Sequence, residues 1–205
     1  MKIQTLLASL LVSSAAMAQT PTIKPIVMKT PNEFQILAAS GNGKWACGTY
    51  SDMSNEQYGF LWNLETGEIE MLDPSKPSVA WSVSDDGLVV GTYEDTSYKS
   101  NGAAVELAGY WANGKWNRFE MPSDEVSGAG AASISPDGHY VTGHVEESGI
   151  YTGYIWKDGK IAKELMNTNC SMPYAIAPDG QSAAGWIQRD NRTACIWEAD
   201  GEVTF

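Results

Sequence analysis

The sequence predicts an all-β fold, a β-propeller or partial propeller of four-stranded antiparallel blades, with about four repeats in this chain. Three observations carry that reading. A unit of one plan recurs four times after about residue 34. Asp-Gly and Asn-Gly pairs punctuate it at matching places. No stretch keeps a helical apolar period between capping residues.

The chain opens in a different grammar. Met1 and Lys2 make a short positive start, Leu6 to Ala16 an apolar run, and Ala16-Met17-Ala18 the pattern that a signal peptidase reads. The run is shorter than the ~20 apolar residues that span a bilayer. Residues 1–18 therefore read as a signal peptide cleaved near Ala18, and the protein as secreted, periplasmic or cell-surface. No later segment is apolar enough for a membrane span. Losing Lys2 with the leader moves the formal charge from -12 to about -13. So acidic a surface repels nucleic acid and anionic membranes and helps an exported protein stay dissolved. Cys47, Cys170 and Cys195 allow at most one bridge, so this is no disulfide scaffold. Cys47 and Cys195 fall on predicted strands and read as packed thiols.

The repeats follow in order. The first carries Ser40-Gly41-Asn42-Gly43, Ala46-Cys47-Gly48, Phe60-Leu61-Trp62 and Thr66-Gly67; the second Asp85-Asp86-Gly87, Val89-Val90-Gly91, Gly109-Tyr110-Trp111 and Asn113-Gly114. The third carries Pro136-Asp137-Gly138, Val141-Thr142-Gly143, Tyr154-Ile155-Trp156 and Asp158-Gly159. The fourth carries Pro178-Asp179-Gly180, Ala183-Ala184-Gly185, Cys195-Ile196-Trp197 and Asp200-Gly201. Gly48, Gly91, Gly143 and Gly185 lie 43, 52 and 42 residues apart, and Trp62, Trp111, Trp156 and Trp197 lie 49, 45 and 41 apart. Constant order with variable spacing means insertions into the loops of one recurring unit. Each unit reads as four short strands joined by tight hairpins, with boundaries near 34–73, 78–121, 129–166 and 172–205. The Trp is expected to fill the gap between neighbouring blades, and the Gly to let backbone come close.

The run A-x-x-I-x-x-D-G-x-x-V-x-G, followed by a small-aromatic-x-Trp segment and a Gly turn, resembles the bacterial extracellular HAF-type repeats over about residues 36–205. That resemblance implies a secreted propeller-like β repeat and no particular chemistry. The triplet that names the family departs here, its positions holding Tyr58-Gly59-Phe60, Ala108-Gly109-Tyr110, Thr152-Gly153-Tyr154 and Thr193-Ala194-Cys195.

The fourth unit stops soon after Asp200-Gly201. Either the chain is the front of a longer propeller, the reading preferred because four blades is the low end of the range, or residues 22–29, within the 19–33 segment, add a closing strand. Pro25 is tolerable on such an edge.

Connectivity predicts where a ligand would sit. Turns between first and second strands are short; the second-to-third connections (51–58, 94–108, 146–152, 188–193) and the links 73–79, 122–130 and 166–173 read as longer and varied. Sites favour such loops on rigid scaffolds. The candidate binding residues on that rim are Tyr98, Tyr151, Glu94, Asp95, Glu146 and Glu147, with Tyr50, Tyr93 and Trp186 at strand ends just past the repeat Gly. Specific chemistry is scarce. His139 and His144 fall on opposite faces, no calcium loop, phosphate loop, HExxH or nucleophile elbow occurs, and neither metal nor cofactor is expected. The leading expectation is a noncatalytic binding or scaffold module for an extracellular glycan, peptide or protein. The alternatives are a carbohydrate-active propeller enzyme using rim carboxylates and a purely structural repeat.

Overall fold

The computed structural model describes residues 33–205 apart from residue 101 and residues 166–169. The predicted signal peptide and the candidate closing strand at 22–29 lie outside the described residues.

Four sheets follow one another. The first holds β1 (Glu33–Ala39), β2 (Trp45–Ser51), β3 (Gln57–Asn63) and β4 (Ile69–Met71); the second β5 (Ser78–Val83), β6 (Val89–Ser100), β7 (Ala103–Ala112) and β8 (Lys115–Arg118). The third holds β9 (Gly128–Ile134), β10 (Tyr140–Glu147), β11 (Ile150–Lys157) and β12 (Lys160–Glu164). The fourth holds β13 (Ser171–Ile176), β14 (Ala183–Gln188), β15 (Arg192–Trp197) and β16 (Val203–Thr204). Each is an antiparallel meander paired in chain order. Among the described residues there is no helix.

Packing between sheets is consecutive, first to second, second to third and third to fourth. The leading strands touch one another, β1 to β5, β5 to β9 and β9 to β13, while the trailing strands β4, β8, β12 and β16 share no extended contact among the described residues. Sheets that converge on their first strands and splay at their last are blades around an axis. The fold is propeller-like and all-β, as the sequence predicts.

Turn chemistry explains the hairpins. Asn113-Gly114 (φ 56° and 72°) and Asp158-Gly159 (φ 49° and 83°) put two successive residues in the left-handed region. Such a two-residue turn matches the twist of the flanking strands, and Asn, Asp and Gly are the residues that tolerate it.

The recurring Gly has a specific cause. In every sheet the first strand carries a bulge, a single residue without a ladder partner: Leu37, Trp81, Ala132 and Tyr174. The bend drives a first-strand carbonyl over the facing second-strand residue. A Cβ on Gly48, Gly91, Gly143 or Gly185 would lie 1.9, 1.9, 2.0 or 2.1 Å from the carbonyl oxygen of Gln35, Val79, Gly130 or Met172. Gly and bulge are one device.

The recurring Trp sits between sheets. Trp156 is fully buried, stacks on Phe119 at 5.4 Å and donates from Nε1 to the Glu120 carbonyl (2.8 Å), both beyond β8. Trp111 is half-buried and donates to the Glu70 carboxylate of β4 (2.8 Å). Burying such a ring stabilises by roughly 1.5–3 kcal/mol in transfer free energy alone. Serine hydroxyls add stitches, Ser78 accepting from the Gly59 N–H (3.0 Å) and Ser171 from the Gly153 N–H (2.8 Å).

Two expectations need correction. Residues 94–108 are largely strand: β6 and β7 stay paired from Val89↔Trp111 to Ser100↔Ala103, interrupted only where register shifts between Asp95 and Lys99. Likewise β10 and β11 pair through Glu147↔Ile150, closed by Ser148-Gly149. Solvent reaches both faces of these tips, so the apolar alternation that marks a half-buried strand fades before the ladder ends. The second correction concerns register. Gly109, not Tyr110, faces Gly91, as Tyr154 faces Gly143, so the second triplet is Leu107-Ala108-Gly109. The Tyr93 ring occupies the space a side chain at Gly109 would need (2.6 Å from its would-be Cβ).

Candidate functional site

The bulges set a ring of side chains apart from the ladders. A bulge re-aims the residue it inserts, and in this chain two inserted residues are large and aromatic. Trp81 is 43 % exposed and Tyr174 is 55 % exposed. Each leans on the residue that follows the repeat Gly of its own sheet. The Trp81 Nε1 donates to Thr92 Oγ1 (3.2 Å), and the Trp186 Nε1 donates to the Tyr174 hydroxyl (3.3 Å). Arg192 lies over the Trp186 ring at 4.7 Å.

Between these two sheets the third offers a smooth wall. Its leading strand reads Gly128-Ala129-Gly130-Ala131-Ala132, and its bulge residue is only Ala132. The result is a concavity of about 610 Å³ with Trp81 on one side, Met172 and Tyr174 on the other, and the small-residue strand between. The β6–β7 hairpin contributes Ala104, Val105 and Glu106, and the β10–β11 hairpin contributes His144, Glu146 and Tyr151. That volume lies within the ~300–1,000 Å³ usual for ligand sites.

Its electrostatics are one-sided. Glu106 and Glu146 are acceptors, and among the described residues no lysine or arginine lines the concavity. Burial pushes the His144 imidazole down to about 4, so it stands neutral at pH 7, its ring 5.5 Å from that of Tyr151. The neighbouring Glu146 charge, then burial and a hydrogen bond to Glu146, hold the Tyr151 phenol above its ordinary range. Tyr151 therefore stays a protonated donor. Together the lining presents flat apolar faces, two carboxylates, neutral hydroxyls and a neutral imidazole, which can bind and orient a ligand by stacking and hydrogen bonding.

Of the residues that sequence singles out, Glu146 and Tyr151 line this concavity and Trp186 braces Tyr174 beside it. The rest stand elsewhere. Tyr50 is buried and stacks on Tyr58 (5.3 Å). Tyr93 is buried against Trp116 with rings almost parallel (5.5 Å, 3°), and its hydroxyl donates to Asp95 (3.1 Å). Asp95 also faces Arg118 at 3.7 Å. Tyr98 lies under the Arg118 guanidinium (5.2 Å) and its hydroxyl accepts from the Val126 N–H (3.1 Å), beside a separate hollow of about 380 Å³. Glu94 donates its N–H to the Pro77 carbonyl (3.0 Å), and Glu147 accepts from the Ser123 hydroxyl. His139 lies just before β10, away from the concavity, its Nδ1 2.6 Å from Asp158.

Trp81 and Tyr174 escape a loop-centred search because they stand within leading strands. A positional signal existed: Leu37, Trp81, Ala132 and Tyr174 each stand five residues before the turn residue Asn42, Asp86, Asp137 or Asp179.

No protein-family model matches the chain, and no curated protein matches it. Among solved structures it is similar to TolB from Acinetobacter baumannii, with a TM-score of 0.56 at 18% identity over 84% of this chain and 43% of that one. It also matches hydrazine synthase of Kuenenia stuttgartiensis, with a TM-score of 0.44 at 18% identity over 90% of this chain and 52% of that one. The chain thus spans less than half of the TolB chain, and that likeness is one of β-propeller fold.

Proposed function

We propose that the protein is a secreted, noncatalytic binding module that holds an extracellular glycan, peptide or protein in the aromatic concavity at the long-connection end of its blades. One observation carries this reading: two large rings, Trp81 and Tyr174, stand exposed on either side of one cavity rather than scattered over the surface. Grouped exposed aromatics in a concave, preformed site mark recognition. Secretion rests on the signal pattern of residues 1–18, and the repeat pattern supports kinship with divergent HAF-type proteins.

The test is a titration of the protein against a glycan array and a peptide array. Trp81→Ala and Tyr174→Ala are expected to weaken any ligand found there at least tenfold, while Tyr98→Ala leaves it unchanged. Blank arrays together with turnover of a polysaccharide would overturn the proposal.

A further inference from the structure

We infer that the ligand of this concavity is a neutral oligosaccharide, long enough to lie across more than one ring; the inference rests on the binding reading above and sharpens it.

Charge comes first. An anionic saccharide needs a cation in its seat, and among the described residues the lining holds Glu106 and Glu146 with no lysine or arginine. The nearby Arg192 is engaged over Trp186. Uronates, sulfated sugars and phosphorylated chains would meet two like charges.

Geometry argues next against a compact cation. An ammonium is gripped by rings that converge within about 6 Å of one point. Trp81 and Tyr174 stand on β5 and β13, with β9, the leading strand of the third sheet, between them. Packed sheets lie ~10 Å apart, so these rings serve two points along an extended ligand rather than one.

The backbone argues against an added peptide strand. β5, β9 and β13 are edge strands of their sheets, and an extended peptide binds such edges by continuing the ladder. Each of them is interrupted by its bulge, at Trp81, Ala132 and Tyr174, and bulges blunt an edge against pairing. A sugar needs no ladder. Its apolar ring face stacks on an aromatic side chain, and its hydroxyl groups donate to carboxylates and exchange hydrogen bonds with neutral groups. Glu106, Glu146, the Tyr151 hydroxyl and the neutral His144 supply those partners.

The experiment is isothermal calorimetry with intrinsic tryptophan fluorescence on the full protein. The probes are neutral hexasaccharides (β-glucan, xylan, chitin and mannan types) with their disaccharides, an oligogalacturonate, and a lysine-rich peptide. At least one neutral hexasaccharide is expected to bind, tenfold or more tighter than its disaccharide and with less than a twofold change between 50 and 500 mM salt. Trp81→Ala and Tyr174→Ala should each cost at least tenfold. Trp81→Phe should recover most of the loss, and far-UV circular dichroism should confirm that each variant is folded. Preference for the oligogalacturonate, a salt-sensitive preference for the lysine-rich peptide, or no binding by any neutral hexasaccharide overturns the inference. If one of those other ligands is bound and lost in Trp81→Ala, the binding-module reading survives without it. If a ligand is bound equally well by Trp81→Ala and Tyr174→Ala, both fall.

Discussion

At the scale of single residues, the glycines of this chain answer to two different demands, and substitution separates them. A methyl at Gly143 would collide with the Gly130 carbonyl, whereas one at Gly149 meets open space and only the strain of φ 80°. Gly143→Ala is expected to cost about 3 kcal/mol or more and Gly149→Ala roughly 1–2 kcal/mol, read from urea denaturation midpoints. Equal costs would refute the bulge-and-glycine coupling. His144 gives a pH signature. Its folded pKa of about 4 lies below the ordinary value of 6.5, so between those limits the unfolded chain binds the extra proton. Stability should therefore fall as pH drops from about 6.5 towards 4, and His144→Gln should flatten that slope. The imidazole shift in NMR, followed from pH 7.5 to 4, checks the assignment directly; titration near 6.5 would contradict it. The marker Gly and Trp were legible because one steric demand recurs four times. Trp81 and Tyr174 were legible only as a position, five residues before each turn, since their neighbours in other repeats are Leu37 and Ala132 and share no chemistry with them.

At the scale of elements, the β6–β7 hairpin is the longest arm and forms one wall of the concavity through Ala104 to Glu106. What steadies it is the Tyr93–Asp95–Arg118 set. Burial works to raise the Asp95 carboxyl, but hydrogen bonds from the Ser97 side chain and N–H and from the Tyr93 hydroxyl, with the Arg118 charge, outweigh it and hold the group below its ordinary range. A depressed carboxyl stabilises above its unfolded pKa, near 3.9, and that contribution fades as pH falls through the folded value. Asp95→Asn should lower stability at pH 7 by about 1–3 kcal/mol and remove part of the acid dependence. A variant within 0.3 kcal/mol of the parent would show the network to be ornamental. This arm is also where sequence reading fell short. Thr96, Ser97, Lys99, Ser100, Ala103 and Ala104 are polar or small and mostly exposed, so towards the tip the period of two carries little apolar contrast. Ladder pairing, invisible in composition, decides the strand.

At the scale of the whole molecule, four sheets fan about their leading strands, and the junctions of the first with the second and the second with the third share one arrangement: an indole from a third strand reaches the outer part of the preceding sheet. Trp156 reaches Glu120 and Trp111 reaches Glu70. Removing a fully buried indole leaves a large void, so Trp156→Ala is expected to cost about 3–5 kcal/mol. Hydrogen exchange should show protection lost on both the second and third sheets together; loss confined to the third would deny the shared junction. The architecture was readable from sequence because turn pairs and aromatic markers recur in constant order. The position of the concavity was not, because it arises from where three leading strands converge, a property of packing rather than of any one repeat. One consequence reaches past the proposed ligand. The inserted residue of each bulge takes no rung in its ladder, so exchanging it leaves strand pairing untouched. Leu37, Trp81, Ala132 and Tyr174 are thus four interchangeable sockets on an unchanging chassis. Descendants of such a chain can change the face these positions present one socket at a time, without relearning how to fold.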